Sequence, residues 1–227
     1  MIFKQLFDTK SSTYTYLISS GKSREALIID PVIENVNEYI SLLEELDLKL
    51  VKVIDTHIHA DHVTGASELK NITKCSTIMG AHTPAELVEI KVKDDEYIDV
   101  DNLKIRALYT PGHTSDSYSF LMNNHLFTGD TLLINGTGRT DFQNGCSKSA
   151  YNSLFNKILK LPEETFVYPG HDYNGKKVST IGTEKKFNPR LQVSSIDEYV
   201  DIMSNLNLSK PKMIESNVSR NIKLGSN

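Results

Sequence analysis

The run Thr56-His-Ile-His-Ala-Asp-His62 constrains this chain most. It follows a short apolar segment, Leu50–Ile54, that reads as a strand. Three imidazoles and a carboxylate so close together cannot pack as ordinary core, because burying them without a cation leaves polar groups and charge unpaired. Three more junctions share the design. His113 sits in Thr-Pro-Gly-His-Thr, Asp130 follows Phe-Thr-Gly, and His171 lies in Tyr-Pro-Gly-His-Asp-Tyr. Pro and Gly there permit a sharp turn after a strand. Five of the seven histidines fall in these loops, which points to a metal held by imidazole and carboxylate, with zinc or iron as the suited ions. His82 and His125 stand apart and read as ordinary surface or hydrogen-bonded residues.

The flanking pattern alternates strands and helices, which predicts α/β layering. Met1–Phe7 is strand-like, and Tyr14–Ile18 and Ala26–Ile29 pair around a turn at Gly21 and Lys22. Val36, Tyr39, Ile40, Leu43 and Leu46 share one helical face. A helix is expected near Val63–Leu69. Thr83-Pro-Ala-Glu86 reads as a capping box opening another. Strands follow at Tyr97–Val100, Leu103–Leu108, Tyr118–Met122 and His125–Phe127, the last two joined by a tight turn at Asn123 and Asn124. A helix over Lys148–Leu159, a strand at Phe166–Tyr168 and a helix capped by Ser195 and Glu198, running to Leu206, complete the pattern.

Composition narrows the partners. A net charge of −4 with scattered lysines gives no basic face for nucleic acid. No apolar run has membrane-spanning length, so no membrane partner is expected. Two cysteines, Cys75 and Cys146, without Cys-x-x-Cys spacing exclude a thiolate zinc finger and a disulfide scaffold. The expected place is the cytoplasm, or a mitochondrial matrix if a leader has been removed from this numbering.

In order and spacing, the four motifs resemble the metallo-β-lactamase superfamily over residues from roughly 10 to 175. That resemblance implies a four-layer αββα sandwich with the metal at one rim, as a single domain over residues 1–227 with a short C-terminal helical tail. Two chemistries remain open on these residues, since fold does not fix reaction. In a dinuclear hydrolase like glyoxalase II, His57, His59 and His113 hold one metal, Asp61, His62 and His171 the other, and Asp130 bridges. In a mononuclear iron oxygenase, His57, His113 and Asp130 form a two-histidine, one-carboxylate set with open positions. His59, Asp61, His62 and His171 then orient the ligands and tune the metal.

The flanks separate these readings. Asn135-Gly-Thr-Gly-Arg-Thr-Asp-Phe-Gln143, His171-Asp-Tyr-Asn-Gly, Glu184, Asn188-Pro-Arg-Leu191 and the stretch from Tyr199 to Lys210 with Pro211 resemble the persulfide dioxygenases. That family implies one Fe(II) per chain, with His57, His113 and Asp130 as ligands. It also implies glutathione persulfide and O2 as reactants, sulfite and glutathione as products, and a homodimer. Arg139 is the expected substrate-positioning residue, because a guanidinium fork suits a glutathione carboxylate or the rim that shapes its pocket. Tyr173 is the expected hydrogen-bond donor at the reacting centre. Thr137 stands where many relatives have Cys, and no Cys lies in the tail, so thiol steps there are not expected. The long C-terminal helical domain of glyoxalase II is not expected, with about one helix after Leu191.

Overall fold

The computed structural model describes residues 1–209 and 213–226. Two six-stranded sheets carry it. The first runs β1 (Ile2–Asp8), β2 (Thr13–Ser19), β3 (Glu25–Ile29), β4 (Lys49–Ile54), β5 (Ser76–Gly80), β6 (Ile90–Val92), in that order. Its first three strands are antiparallel and β3 to β6 are parallel. The second comprises β7 (Tyr97–Val100), β8 (Leu103–Tyr109), β9 (Tyr118–Met122), β10 (His125–Gly129), β13 (Phe166–Pro169) and β14 (Ser179–Thr180). They lie in the order β14-β13-β10-β9-β8-β7. Between β10 and β13 come a small hairpin, β11 (Leu132–Leu133) and β12 (Gly136–Thr137), and the helix α3 (Ser147–Asn156).

Strand alternation sorts the side chains into layers. Leu27 and Ile29 of β3 join Tyr16, Ile54, Phe120 and Phe127 between the two sheets. Ala26 and Ile28 point the other way, against Val36, Tyr39 and Leu43 of α1 (Val36–Glu45) and Leu69 of α2 (Ala66–Thr73). On the far side Leu108, Leu126 and Val167 pack under Leu154 of α3, Ile181 of α4 (Ile181–Phe187) and Tyr199 of α5 (Ile196–Ser204). Helices, sheet, sheet, helices: the architecture is the four-layer αββα sandwich.

Two local expectations differ from what forms. No helix follows Thr83. Its hydroxyl instead accepts from Ala85 N–H, Glu86 N–H goes to Ile222 O, and Glu89 N–H goes to Thr77 Oγ1. With those amides spent outside and Ala85 and Val88 buried, the segment serves as an extended lead into β6. After Leu191 two helices appear among the described residues, α5 and α6 (Ile214–Asn221), where about one was expected. Lys210 and Pro211 lie outside the described residues. No helix among those described is long and apolar enough to cross a membrane.

Candidate metal centre

Four strand ends deliver the cluster. The loop after β4 carries His57, His59, Asp61 and His62; the loop after β8 carries His113; Asp130 directly follows β10, and His171 follows β13 after Gly170. Glycine is required at two of these ends. Gly129 has φ +48, and a Cβ there would lie 2.5 Å from Thr56 Oγ1. Gly112 has φ +149, with Ala150 Cα 2.3 Å from where a Cβ would stand.

In the loop over residues 55–65 backbone partners serve the groups at Asp55, Thr56, Val63 and Gly65, and side chains serve others. Asp30 accepts Thr56 N–H at 2.7 Å, Asp116 accepts Ile58 N–H at 3.0 Å, and Gln143 donates to Ile58 O at 2.6 Å. Asn217 and Asn221 of α6 donate to Ala60 O, His59 O and His62 O. The sequence reading missed Asp30, Asp116, Gln143 and both asparagines as site supports. Such bonds leave no periodic signal.

Partners assign the tautomers. Thr56 Oγ1 commits its proton to Asp30 Oδ2 at 3.0 Å and therefore accepts from His57 Nδ1 at 2.9 Å. His113 Nδ1 donates to Arg139 O at 2.7 Å. In both rings Nε2 keeps its lone pair. His113 Nε2 stands 3.5 Å from Asp130 Oδ2, while Asp130 Oδ1 accepts from His171 Nδ1 at 2.6 Å. Ligand atoms of His57, His113 and Asp130 lie within 4.8 Å of one another.

A second group stands beside the first. His171 Nε2 donates to Asp61 Oδ2 at 2.8 Å, and so does His62 Nδ1 at 2.9 Å. His59 Nε2 donates to Asp30 Oδ1 at 3.1 Å, with Asp55 at 3.9 Å. Ligand atoms of His59, Asp61 and His62 also lie within 4.8 Å.

Charges follow this layout. Burial, with His59 and His113 adding to it, holds His57 well below the usual imidazole range. Burial opposes ionisation of Asp130, yet His171, His113 and His57 prevail and keep its carboxyl low. Burial likewise opposes charge on His59, but Asp30 and Asp55 raise it to about 9. Burial pushes Asp55 up to about 7 against the pull of His59.

The donor set fits a metal ion. It pairs imidazoles that spend Nδ1 on protein oxygens with an ionised carboxylate, groups that bind one. Two buried ring nitrogens in the cluster, His59 Nδ1 and His62 Nε2, have no hydrogen-bond partner among the described residues.

Arg139 lies beside His113, but its guanidinium is occupied. It forms a bidentate pair with Asp141 at 2.6 and 2.7 Å, donates to Ser209 O at 2.7 Å and Leu208 O at 3.3 Å, and covers the Phe142 ring at 4.5 Å. Tyr173 is 73% exposed, its ring stacked on His171 at 6.3 Å. From α4, buried Glu184 accepts Asn135 N–H at 2.9 Å, and Asn188 Nδ2 donates to Gly136 O at 2.9 Å. Arg190 donates to Thr137 O. These residues clamp the hairpin whose base is closed by Gly138 N–H to Asp130 O at 2.7 Å. That accounts for the Glu184 and Asn188-Pro-Arg-Leu191 motifs.

Residues 8–171 match the model of the metallo-beta-lactamase superfamily. The human mitochondrial persulfide dioxygenase ETHE1 is 41% identical, over 99% of this chain and 89% of its own length. The crystal structure of ETHE1 from Myxococcus xanthus superposes with a TM-score of 0.98 at 46% identity, covering all of both chains. A hydroxyacylglutathione hydrolase of Dictyostelium discoideum is 34% identical over 88% of this chain and 78% of its own length. The chain belongs to the metallo-beta-lactamase superfamily and, within it, to the persulfide dioxygenase family.

Proposed function

We propose that this protein is a persulfide dioxygenase that holds one Fe(II) per chain through His57, His113 and Asp130. It oxidises the outer sulfur of glutathione persulfide with O2 and water, giving sulfite and glutathione. The observation that carries the reading is the convergence of those three donors within 4.8 Å, in a chain similar over 99% of its length to a persulfide dioxygenase. Fe(II) bound by two imidazoles and a carboxylate supplies a redox-active centre with exchangeable positions for the two reactants.

The protein's own groups supply the rest. Thr56 and Arg139 O hold His57 and His113 with Nε2 free. His171 ties down one oxygen of Asp130 and leaves Oδ2 toward the histidines. Tyr173, whose exposed ring stacks on His171, is assigned the role of hydrogen-bond donor at the reacting centre. Arg139 acts on substrate through the rim it shapes, since its donors hold the 208–209 carbonyls and Asp141. His59, Asp61, His62 and His171 orient and charge-balance the ligands. The family resemblance further implies one domain with a helical tail, a homodimer, and a place in the cytoplasm or a mitochondrial matrix.

One observation favours a second reading, a dinuclear glyoxalase II-like hydrolase. The unpartnered His59 Nδ1 and His62 Nε2 are ligand atoms that a two-metal site would use, His59 on the first metal and His62 on the second. Oxygen uptake separates the two. Anaerobically purified, Fe(II)-loaded protein should consume O2 on adding glutathione persulfide and release matching sulfite. No uptake with iron confirmed in the protein, and turnover of S-lactoylglutathione instead, would give the site to the hydrolase.

A further inference from the structure

We propose that Asn221, in the last helix, is a positioning residue of the metal loop. It sets the affinity for the metal through three hydrogen bonds to the backbone of residues 59–64. The inference rests on the reading that His57, His113 and Asp130 hold the metal.

The loop from Asp55 to Gly65 must turn its side chains inward while its own amides and carbonyls find partners away from water. Its first part is served from nearby, by Asp30 and Asp116. Its second part is served by Asn217 at Ala60 O, by backbone at Val63 O and Gly65 N–H, and at three further groups by one side chain about 160 residues along the chain. Asn221 Nδ2 donates to His59 O and to His62 O, both at 2.8 Å, and Asn221 Oδ1 accepts Thr64 N–H at 2.9 Å. Two carbonyl acceptors on one side demand the NH2 group there, so the carboxamide has only one workable orientation. The residue is 1% exposed, so water cannot replace it without the loop moving.

The helix end that carries Asn221 is itself seated. Leu224 is buried against Ile58, Met79, Ala85 and Val88. Leu224 O accepts Ser67 N–H at 3.2 Å. Gly225 has φ +79, and a Cβ there would stand 2.1 Å from Thr64 O. A rigid side chain on a seated helix thus fixes the loop bearing His57, two residues before His59. Removing it strands three buried backbone groups. The loop must then shift to satisfy them, and His57 Nε2 moves relative to His113 and Asp130.

The test is a Co(II) titration of the metal-free protein, followed by visible absorption, alongside urea unfolding. Wild type and Asp130→Ala come first: binding by one and loss in the other upholds the triad reading, and any other result defeats that reading before Asn221 is addressed. Asn221→Ala should then bind about tenfold more weakly than wild type. Asn221→Asp should bind more weakly still, because its carboxylate faces two carbonyls. Leu43→Ala, in the helix layer away from the site, serves as a destabilised control and should keep wild-type affinity. Affinities of both Asn221 variants equal to that control, at a similar loss of urea midpoint, would overturn the proposal. Should the variants not fold, hydrogen exchange of the wild type decides. Protection of the Thr64 amide equal to that of the α6 amides supports the proposal, and an unprotected Thr64 amide overturns it.

Discussion

The two sides of the histidine cluster use the same residue types and differ in what each leaves free. On the Asp130 side, His57 and His113 each spend one ring nitrogen on a protein oxygen, Thr56 Oγ1 and Arg139 O, and keep the other for the centre. On the Asp61 side, His171 spends both nitrogens on carboxylates, Asp130 and Asp61, and His59 gives Nε2 to Asp30. On the proposed function the first arrangement is a half-built coordination sphere. The second is a network in which imidazoles neutralise buried carboxylates. Residue type does not distinguish a ligand from its support; the bonds of the ring nitrogens set His171 apart, with both nitrogens spent, while His59 Nδ1 and His62 Nε2 stay without a hydrogen-bond partner among the described residues.

This contrast can be broken most visibly at the ligands. Asp130→Ala and His113→Ala should bring metal content and oxygen uptake to background, measured by elemental analysis and an oxygen electrode; wild-type metal in either would dissolve the distinction. A smaller effect is expected across the divide. His171→Ala should still bind one metal, with affinity lowered about 10- to 100-fold, as for other supports of a metal site. Complete loss of metal would move His171 to the ligand side.

Arg139 sharpens the contrast at the rim. Because its side chain holds Asp141 and the 208–209 carbonyls, Arg139→Ala should raise the KM for glutathione persulfide several-fold while metal content stays at wild type. An unchanged KM would make the residue purely structural. The smallest effect concerns charge on the Asp61 side. His59 rises from 6.5 to about 9 despite burial, through Asp30 and Asp55. Its contribution to folding is therefore complete below its unfolded value and is lost as pH rises through about 9. Unfolding of the metal-free protein should show stability falling over that window, with the slope reduced in His59→Asn. A slope unchanged by the substitution would remove His59 from the network.

The histidine cluster was legible in the sequence because His57 to His62 lie close together and Gly112 and Gly129 mark the strand ends beside His113 and Asp130. The elements of the sandwich were legible where strand and helix periods are clean, as in β3 and α1, while their arrangement in four layers came from the family resemblance. Helix α6 was not. Its apolar residues are only Ile214 and Val218, and its Asn and Ser residues have weak helix propensity. What seats it is polar, through Asn217 and Asn221, and partly the burial of Leu224 beyond its end. The Thr83 to Glu86 pattern misled for the opposite reason. It is a valid local start, overridden because Glu86 and Glu89 donate their amides to Ile222 and Thr77. Arg139 was expected to position substrate, and the sequence could not show that its donors are already spent, since Leu208 and Ser209 approach it only in the fold.

The most direct test of the contrast is anomalous diffraction at the iron edge from crystals of the Fe(II)-loaded protein. One peak within bonding reach of His57, His113 and Asp130 is the predicted result. A second peak of comparable height between Asp61 and His62 would contradict it, and would make both sides of the cluster a ligand set.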